Sequence, residues 1–358
     1  MKMEIFVSGR TELAGNHTDH QNGRILASAI DLGVYGRCEA NGTDTAHIES
    51  KGYESFDIKL NRLTVNPREF GKPAALVRGV MAAFRELGLK IGGFNAKINS
   101  TLPAGAGLSS SAAFSVLIGK ILSELFNGGE VDPIVIARAA QQAENRHFGK
   151  PCGLMGMVCA LGHTVYADFK TNEIEPIKAD FSSMGLSLCL TDTGGSHAGL
   201  DSSYARIPAD MIYIANMFDK GVLGDVDPEE FRKKGWDPSN RPVRRAMHFF
   251  DENERVPLMR DALKTGNGEE YMRLMNESGR SSENLLNNIV TSATGDTKLL
   301  QGLEKSAALL NGKGAWRVHG GGFAGCVQAL MPSDYFHVYK TEMEKSFGPG
   351  SCREIRIV

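Results

Sequence analysis

The segment Leu102-Pro-Ala-Gly-Ala-Gly-Leu-Ser-Ser-Ser-Ala-Ala113 joins a glycine-rich turn to three serines and then to a helix-forming run. Small residues let the backbone close around a guest, and the first amides of the following helix have no partner inside it. The helix dipole adds partial positive charge at the same end. These residue types at this spacing suit a phosphate cradle, formed by Gly105, Ala106, Gly107, Leu108, Ser109, Ser110 and Ser111. No lysine follows the glycines, so the segment is not a Walker-type GxxxxGK[ST] loop. A hydroxyl at Ser110 or Ser111 can also reach magnesium, which takes oxygen ligands and keeps several waters.

Two more small-residue motifs accompany this loop. Ser8-Gly-Arg-Thr-Glu-Leu-Ala-Gly-Asn-His-Thr-Asp-His-Gln-Asn-Gly23 stands near the start of the sequence and His319-Gly-Gly-Gly-Phe-Ala-Gly-Cys326 near its end. In this order the three motifs resemble those of the GHMP small-molecule kinases. Gly9-Arg10 followed by His17-Thr-Asp19 narrows the resemblance to the galactokinase group. Gln142-Ala-Glu-Asn145, Cys152-Gly-Leu-Met155 and Asp192-Thr-Gly-Gly-Ser-His197 agree with it. So do Arg245-Ala-Met-His-Phe-Phe-Asp-Glu-Asn-Glu254 and Ser278-Gly-Arg-Ser-Ser282, and the resemblance runs from Phe6 to Pro332.

The resemblance implies an α+β, two-domain fold: an N-terminal domain like ribosomal protein S5 domain 2 over residues 1–175 and a ferredoxin-like C-terminal domain over residues 176–358. The active site is then expected in the cleft between them. The implied activity is transfer of the γ-phosphate of ATP to the anomeric hydroxyl of galactose, with ATP and magnesium as cofactors. Arg10 takes the place of an arginine near the reacting hydroxyl, where a permanently charged guanidinium can fork across oxyanions. Asn16, His17 and Asp19 sit where the family grips the sugar, with Gly194, Gly195 and Tyr204 on the same side. Asn16 stands where glutamate is more usual, and an amide there is expected to bond a sugar hydroxyl with altered strength. Glu144 matches the glutamate that completes magnesium coordination with Ser110 and Ser111, and Gly320–Gly325 matches a glycine turn supporting the phosphate loop.

One departure stands out. The family follows Cys-Gly-Ile/Leu-Met with an aspartate beside the attacking hydroxyl, and counting on from Glu144 places Gly156 there. No carboxylate lies within ten residues on either side, and the next downstream is Asp168. A positioned general base contributes about 10²- to 10⁴-fold, or roughly 3–5 kcal/mol of barrier. Phosphoryl transition states are loose, so the nucleophile's proton need not leave early. The sequence is therefore compatible with a slow sugar kinase, with a catalytically impaired sensor of galactose and ATP, and with a GHMP kinase for another sugar.

The elements that must position these residues are legible from periodicity. Met3–Val7, Arg24–Ile30, Val34–Cys38, Asn95–Asn99, Thr164–Asp168 and Leu186–Leu190 read as strands. Leu76–Leu87 and Ala112–Phe126 have helical spacing, the second broad enough to be well buried. Asp132-Pro133 opens a helix predicted to run to Phe148. Residues 209–288 are mostly helical, alternation returns at Trp316–Leu330, and the polar run Lys170–Met184 marks the expected domain division.

Composition excludes some classes of function. The 358 residues are 42% hydrophobic, enough for a sizeable core, and 40 Lys and Arg against 42 Asp and Glu give a formal charge of −2. That balance offers no general attraction to nucleic acid or acidic membranes, so substrate phosphates need a local site. Cys38, Cys152, Cys159, Cys189, Cys326 and Cys352 form no CxxC pair and read as reduced, buried thiols. No run approaches the roughly 20 apolar residues of a membrane span, and no signal-peptide core follows Met1. A cytoplasmic protein is expected, with a small sugar and ATP as partners and a monomer or an oligomer both open.

Overall fold

The computed structural model describes residues 2–103, 107–149, 152–153, 156–196 and 198–358. Gly105 and Ala106 of the serine loop, and Leu154 and Met155 of the Cys152 motif, lie outside the described residues. Contacts divide the chain into two compact units, one of residues 1–11, 29–104 and 108–163 and the other of residues 12–28, 105–107 and 164–358. The division therefore does not fall at residue 175. The polar run expected to be a linker instead contains a strand, and residues 12–28 join the second unit because their partners lie there.

Strands β1 (Met3–Ala14) and β2 (Arg24–Ala40) pair with each other and thread both units. β2 merges the two strands read at 24–30 and 34–38. In the first unit follow β3 (Thr45–Ser50), β4 (Phe56–Lys59), α1 (Pro73–Glu86) and β5 (Phe94–Ser100). Then come α2 (Ser110–Phe126), α3 (Pro133–Gln142), a π-helical turn over Ala143–Phe148, and α4 (Met157–Leu161). The later half of β2 pairs antiparallel with β5, from Val34 opposite Ser100 to Ala40 opposite Phe94. β5 runs parallel to β3, and β3 antiparallel to β4. Phe94, Ala96 and Ile98 of β5 point inward while Asn95, Lys97 and Asn99 face out, the period-two pattern of a half-buried strand. From Ala112 to Leu122, α2 is buried all round except at Lys120, which explains its broad apolar pattern.

The helix expected over 133–148 changes character part-way. Asp132 caps it by accepting the Ile134 amide at 2.7 Å, and Pro133 fills its first turn. After Gln142 the winding widens into the π-turn, which ends at Gly149 in the left-handed region. α1 packs on this turn through Gly79, where a Cβ would stand 2.7 Å from the Ala143 Cα.

In the second unit, β6 (Thr164–Asp168) pairs with the start of β2 and with β7 (Glu173–Ile177). β8 (Leu186–Asp192) leads to α5 (Asp201–Asn216), α6 (Pro228–Lys233), α7 (Arg241–Lys264) and α8 (Gly268–Ser281). A second π-turn over Ser282–Leu286 precedes α9 (Lys298–Leu310), β9 (Ala315–His319), β10 (Cys326–Pro332), α10 (Phe336–Phe347) and β11 (Cys352–Ile355). These last strands form an antiparallel sheet in the order β11-β8-β10-β9. One core packs Ile207, Met211, Phe249 and Phe250 between α5 and α7, and another packs Cys189, Ala329, Met331, Tyr339 and Met343 under α10. α7 buries Arg245, His248 and Glu252 at helical spacing, a polar stripe aimed at the interior. Five cysteines are buried, but Cys152 is exposed, contrary to the reading of all six as buried thiols. No helix among the described residues is long and apolar enough to cross a membrane.

Gly79 sets how closely α1 approaches the π-turn. Gly79→Ala is expected to cost about 1–3 kcal/mol through overpacking against backbone that cannot fold away, read as a lower urea midpoint with an unchanged m-value.

Candidate active site

In the first unit, β1 delivers Arg10 against the serine loop. The Arg10 amide donates to the Leu108 carbonyl at 3.2 Å. Gly9 permits this approach, since a Cβ there would stand 2.5 Å from Leu102 Cδ2 and 2.9 Å from the Leu108 carbonyl oxygen. Ser109 adopts φ 56° and ψ 48°, and α2 begins at Ser110. Ser109 makes no side-chain cap, and Ser110 is exposed. Orphan helix amides beneath small hydroxyl residues are the arrangement that an anion needs.

The π-turn presents Glu144, which is 6% exposed. Its Oε1 is buried and accepts no hydrogen bond from the described residues. A buried carboxylate oxygen left in this way is costly unless a cation completes it, so the residue fits the magnesium role implied for it. The thiol of Cys159 lies in the field of Arg10, Glu144 and Lys120, and burial pushes it up to about 12, so it is an inert neighbour. Gly156 precedes α4 with φ −61° and ψ −13°, a conformation open to any residue. A Cβ there would meet Ala112 Cβ at 3.0 Å and no other neighbour within 4 Å. On the exposed flank of the same unit, a groove of about 570 Å³ is lined by Ser50, Tyr53, Lys97, Ile98 and Asn99 among others. β5, which supplies three of them, leads straight into the serine loop.

In the second unit, residues 12–24 are held by a buried ionic network. Glu252 on α7 accepts the Gly15 amide at 3.1 Å, the Asn16 amide at 3.4 Å and the Ser278 hydroxyl at 2.8 Å. It also pairs with Arg255. Despite complete burial, which opposes ionisation, Arg255, His248 and Arg317 hold its carboxyl down to about 2. Arg317, fully buried on β9, donates to the Glu12 carbonyl at 2.9 Å and sits 3.1 Å from Glu12 Oε1. His248 Nε2 donates to the Asn16 carbonyl at 2.9 Å while its Nδ1 accepts from Ser281 at 2.8 Å. Asn253 takes the Arg24 amide at 2.7 Å.

Of the expected sugar-side residues, Asn16, His17, Tyr204 and Gly195 meet at the turn Gly320–Gly325, while Gly194 and Asp19 bond elsewhere in the unit. Asn16 Nδ2 donates to the Gly320 carbonyl at 2.7 Å and to Glu12 Oε1 at 3.2 Å. Its Oδ1 accepts from Ser282 at 3.3 Å and Asn288 at 3.1 Å. The side chain is thus fully committed and the residue is 1% exposed, so the expectation that its amide bonds a sugar hydroxyl is not met here. His17 lies 3.1 Å from the Gly321 carbonyl through Nε2 and 3.1 Å from His20 Nε2 through Nδ1. Gln21 approaches His20 Nδ1 at 3.2 Å, so the partners assign both rings as neutral, each donating from Nε2. Tyr204 donates its hydroxyl to the Gly322 carbonyl at 2.7 Å, and Gly195 packs on Ala324. Gly194 bends at φ 71°, with its amide on Asp192 and its carbonyl on Lys298. Asp19 opens a short 3-10 turn, half-buried, and accepts the His20 amide at 2.9 Å. Asp168 is committed to Arg24 at 2.8 Å and to two loop amides.

Sequence reasoning missed Glu12, Glu252, Arg317, His248 and Asn288 as individual residues. The signal for three of them was present: His248 and Glu252 lie in one motif carrying the resemblance and Glu12 in another, and a charged residue among apolar ones on one helix face is unusual.

Residues 75–163 match the GHMP kinases N terminal domain, and residues 3–39 match the galactokinase galactose-binding signature. Galactokinase of Staphylococcus saprophyticus is 27% identical over 96% of this chain and 90% of its own length. Among solved structures, Lactococcus lactis galactokinase complexed with galactose is similar with a TM-score of 0.87, at 22% identity, over 99% of this chain and 93% of that one. Methanococcus jannaschii mevalonate kinase is similar with a TM-score of 0.70, at 18% identity, over 100% and 99%. The fold is that of a small-molecule kinase, mixed α and β in two domains. By these matches the chain is similar to the galactokinases among the GHMP kinases, in the matched segments and along most of its length.

Two outcomes follow from the buried network. Burial and the neighbouring His20 lower the His17 pKa from 6.5 to about 3, and burial lowers those of His20 and His248. The unfolded chain therefore binds protons below pH 6.5 that the folded chain refuses. Stability is expected to fall from pH 6.5 downward, by at most about 1.4 kcal/mol per pH unit for each such group. His17→Asn should flatten that slope in denaturant titrations between pH 6.5 and 4.5. Glu252→Gln leaves buried Arg317 and Arg255 short of a counter-charge and should cost about 3–5 kcal/mol in the same measurement.

Proposed function

We propose that this protein is an ATP-dependent galactose kinase that transfers the γ-phosphate to the anomeric hydroxyl, with Gly156 making it slow. The observation that carries the kinase reading is Glu144. A buried carboxylate oxygen without a protein partner lies in the unit that also holds Arg10 and the start of α2. Ser110 or Ser111 and Glu144 would hold magnesium, which when bound neutralises phosphate charge. The amides opening α2 orient the phosphate chain, and Arg10 supplies fixed positive charge to the migrating group. The groove beside Tyr53 suits the adenine ring, with an exposed phenol ring available for stacking. Galactose is supported by the signature over residues 3–39 and by the galactokinases among the relatives. His17, Asp19, Gly194, Gly195 and Tyr204 are the proposed sugar-side residues. Hydrogen-bonding groups placed this way reject analogues that lack the matching hydroxyl.

A second reading, binding of sugar and nucleotide without turnover, is favoured by the missing carboxylate alone. A coupled ADP-release assay over a panel of hexoses separates the two: galactose-dependent release supports the kinase, and saturable binding without release supports the sensor.

Gly156→Asp is expected to raise kcat at least tenfold. The backbone there accepts aspartate, and only Ala112 must give way by a few tenths of an ångström. ATP should bind no tighter to that variant, because a new carboxylate offsets part of the Arg10 charge. Glu144→Gln should lower kcat at least a hundredfold while raising the thermal midpoint of the metal-free protein, since it removes a buried charge.

A further inference from the structure

The second unit contains one residue whose expected role and observed surroundings part company. Asn16 lies in the middle of the sugar signature, yet it presents nothing to a ligand. Both amide hydrogens and both carbonyl lone pairs have protein partners, and 1% of the residue is exposed. An asparagine has no further hydrogen-bonding capacity beyond these four. Its four partners come from four separate places in the chain: Glu12, Ser282, Asn288 and Gly320.

We infer that Asn16 is a positioning residue that clamps the Gly320–Gly325 turn to the floor of the sugar signature, and that it does not touch the sugar. The turn needs such a clamp. Gly320, Gly322, Phe323 and Gly325 all have positive φ, which a free segment of this composition would hold only part of the time. Asn288 shares the work. Its side-chain amide reaches both Asn16 Oδ1 and the Gly321 carbonyl, and its main-chain carbonyl takes the Phe323 amide at 2.5 Å. Asn16 is therefore bonded to the turn directly at Gly320 and through Asn288 at Gly321 and Phe323.

The chemistry also says why an amide suits this position in this chain. Glu12 Oε1 and the Gly320 carbonyl both face Asn16 Nδ2, and both are acceptors. A carboxylate at position 16 would set a second negative charge against Glu12 and leave the Gly320 carbonyl without a donor. An amide donates to both while accepting from Ser282 and Asn288.

The turn bears on the nucleotide side as well. His319 immediately precedes it, and a Cβ on Gly107 of the serine loop would stand 3.1 Å from His319 Nδ1. Gly107 itself is at φ 70°. Displacing the turn therefore displaces what the loop glycine rests on. The effect of losing Asn16 should reach ATP, which a lost sugar contact would not.

This inference rests on the kinase reading for its kinetic half only. The test compares Asn16→Ala, Ser282→Ala and Asp19→Asn with the unaltered protein. Amide hydrogen exchange is read over Gly320–Gly325 without ligands, and KM is read for ATP and for galactose. Asn16→Ala should speed exchange in the turn at least tenfold and raise KM for ATP at least threefold. Ser282→Ala removes one donor to Asn16 and should speed exchange about twofold to fourfold, keeping the test open if Asn16→Ala does not fold. Asp19→Asn should leave exchange in the turn unchanged. Unchanged exchange in both Asn16→Ala and Ser282→Ala, or a rise in the galactose KM alone, would overturn the inference. If the unaltered protein shows no galactose-dependent ADP release, the kinase reading fails by itself, and the exchange measurement still decides the role of Asn16.

Discussion

The sugar signature has its shape because Glu252 is ionised although fully buried. A bare buried carboxylate would cost several kcal/mol. Here the charge is met by Arg255 and Arg317, by the Ser278 hydroxyl and by the amides of Gly15 and Asn16. Each of those groups is constrained in return. Two successive amides are aimed at one oxygen of a residue more than 230 positions away, which fixes where the chain turns after β1. Arg317 extends the same constraint to Glu12 and to Gln328 on the neighbouring strand. The signature is thus a loop in sequence but part of the core in the energetic sense.

The glycine turn at 320–325 depends on that foundation. Its carbonyls are taken one after another by Asn16, His17, Tyr204 and Thr193, with Asn288 adding a second donor at Gly321. A side chain at Gly322 would collide with Asn288, so the close approach requires glycine. The histidine pair belongs to the same system. Gln21, His20 and His17 pass hydrogen bonds in one direction to the Gly321 carbonyl, an order available only to neutral rings. Gln21 is anchored in turn by the Leu223 amide at 3.1 Å.

The first unit solves a different problem, that of keeping polar groups ready for a charged guest. Arg10 is placed on the loop through its backbone amide, which donates to the Leu108 carbonyl. Glu144 is placed by a π-turn, a winding often found at functional sites. The tight packing of Gly79 on Ala143 fixes that turn. Gly156 breaks no backbone rule and creates no collision. Nothing in its backbone or its surroundings among the described residues demands a glycine there.

Much of this was readable from residue types alone. The small-residue motifs and their order are properties of the string, and the resemblance they carry is what singled out Arg10, Glu144 and position 156. The strand at 164–168 and the helices near 76–87 and 112–126 were likewise set by local periodicity. Three things were decided only by tertiary structure. Residues 12–28 joined the second unit because Glu252, Arg317 and Asn253 bind them there. The helix through 143–148 became a π-turn because α1 packs against it. Asn16 became a clamp because nearby Glu12 and the distant Ser282, Asn288 and Gly320 consume its amide. Local sequence names the hydrogen-bonding groups a residue owns, but burial and long-range partners determine which of them remain for a ligand.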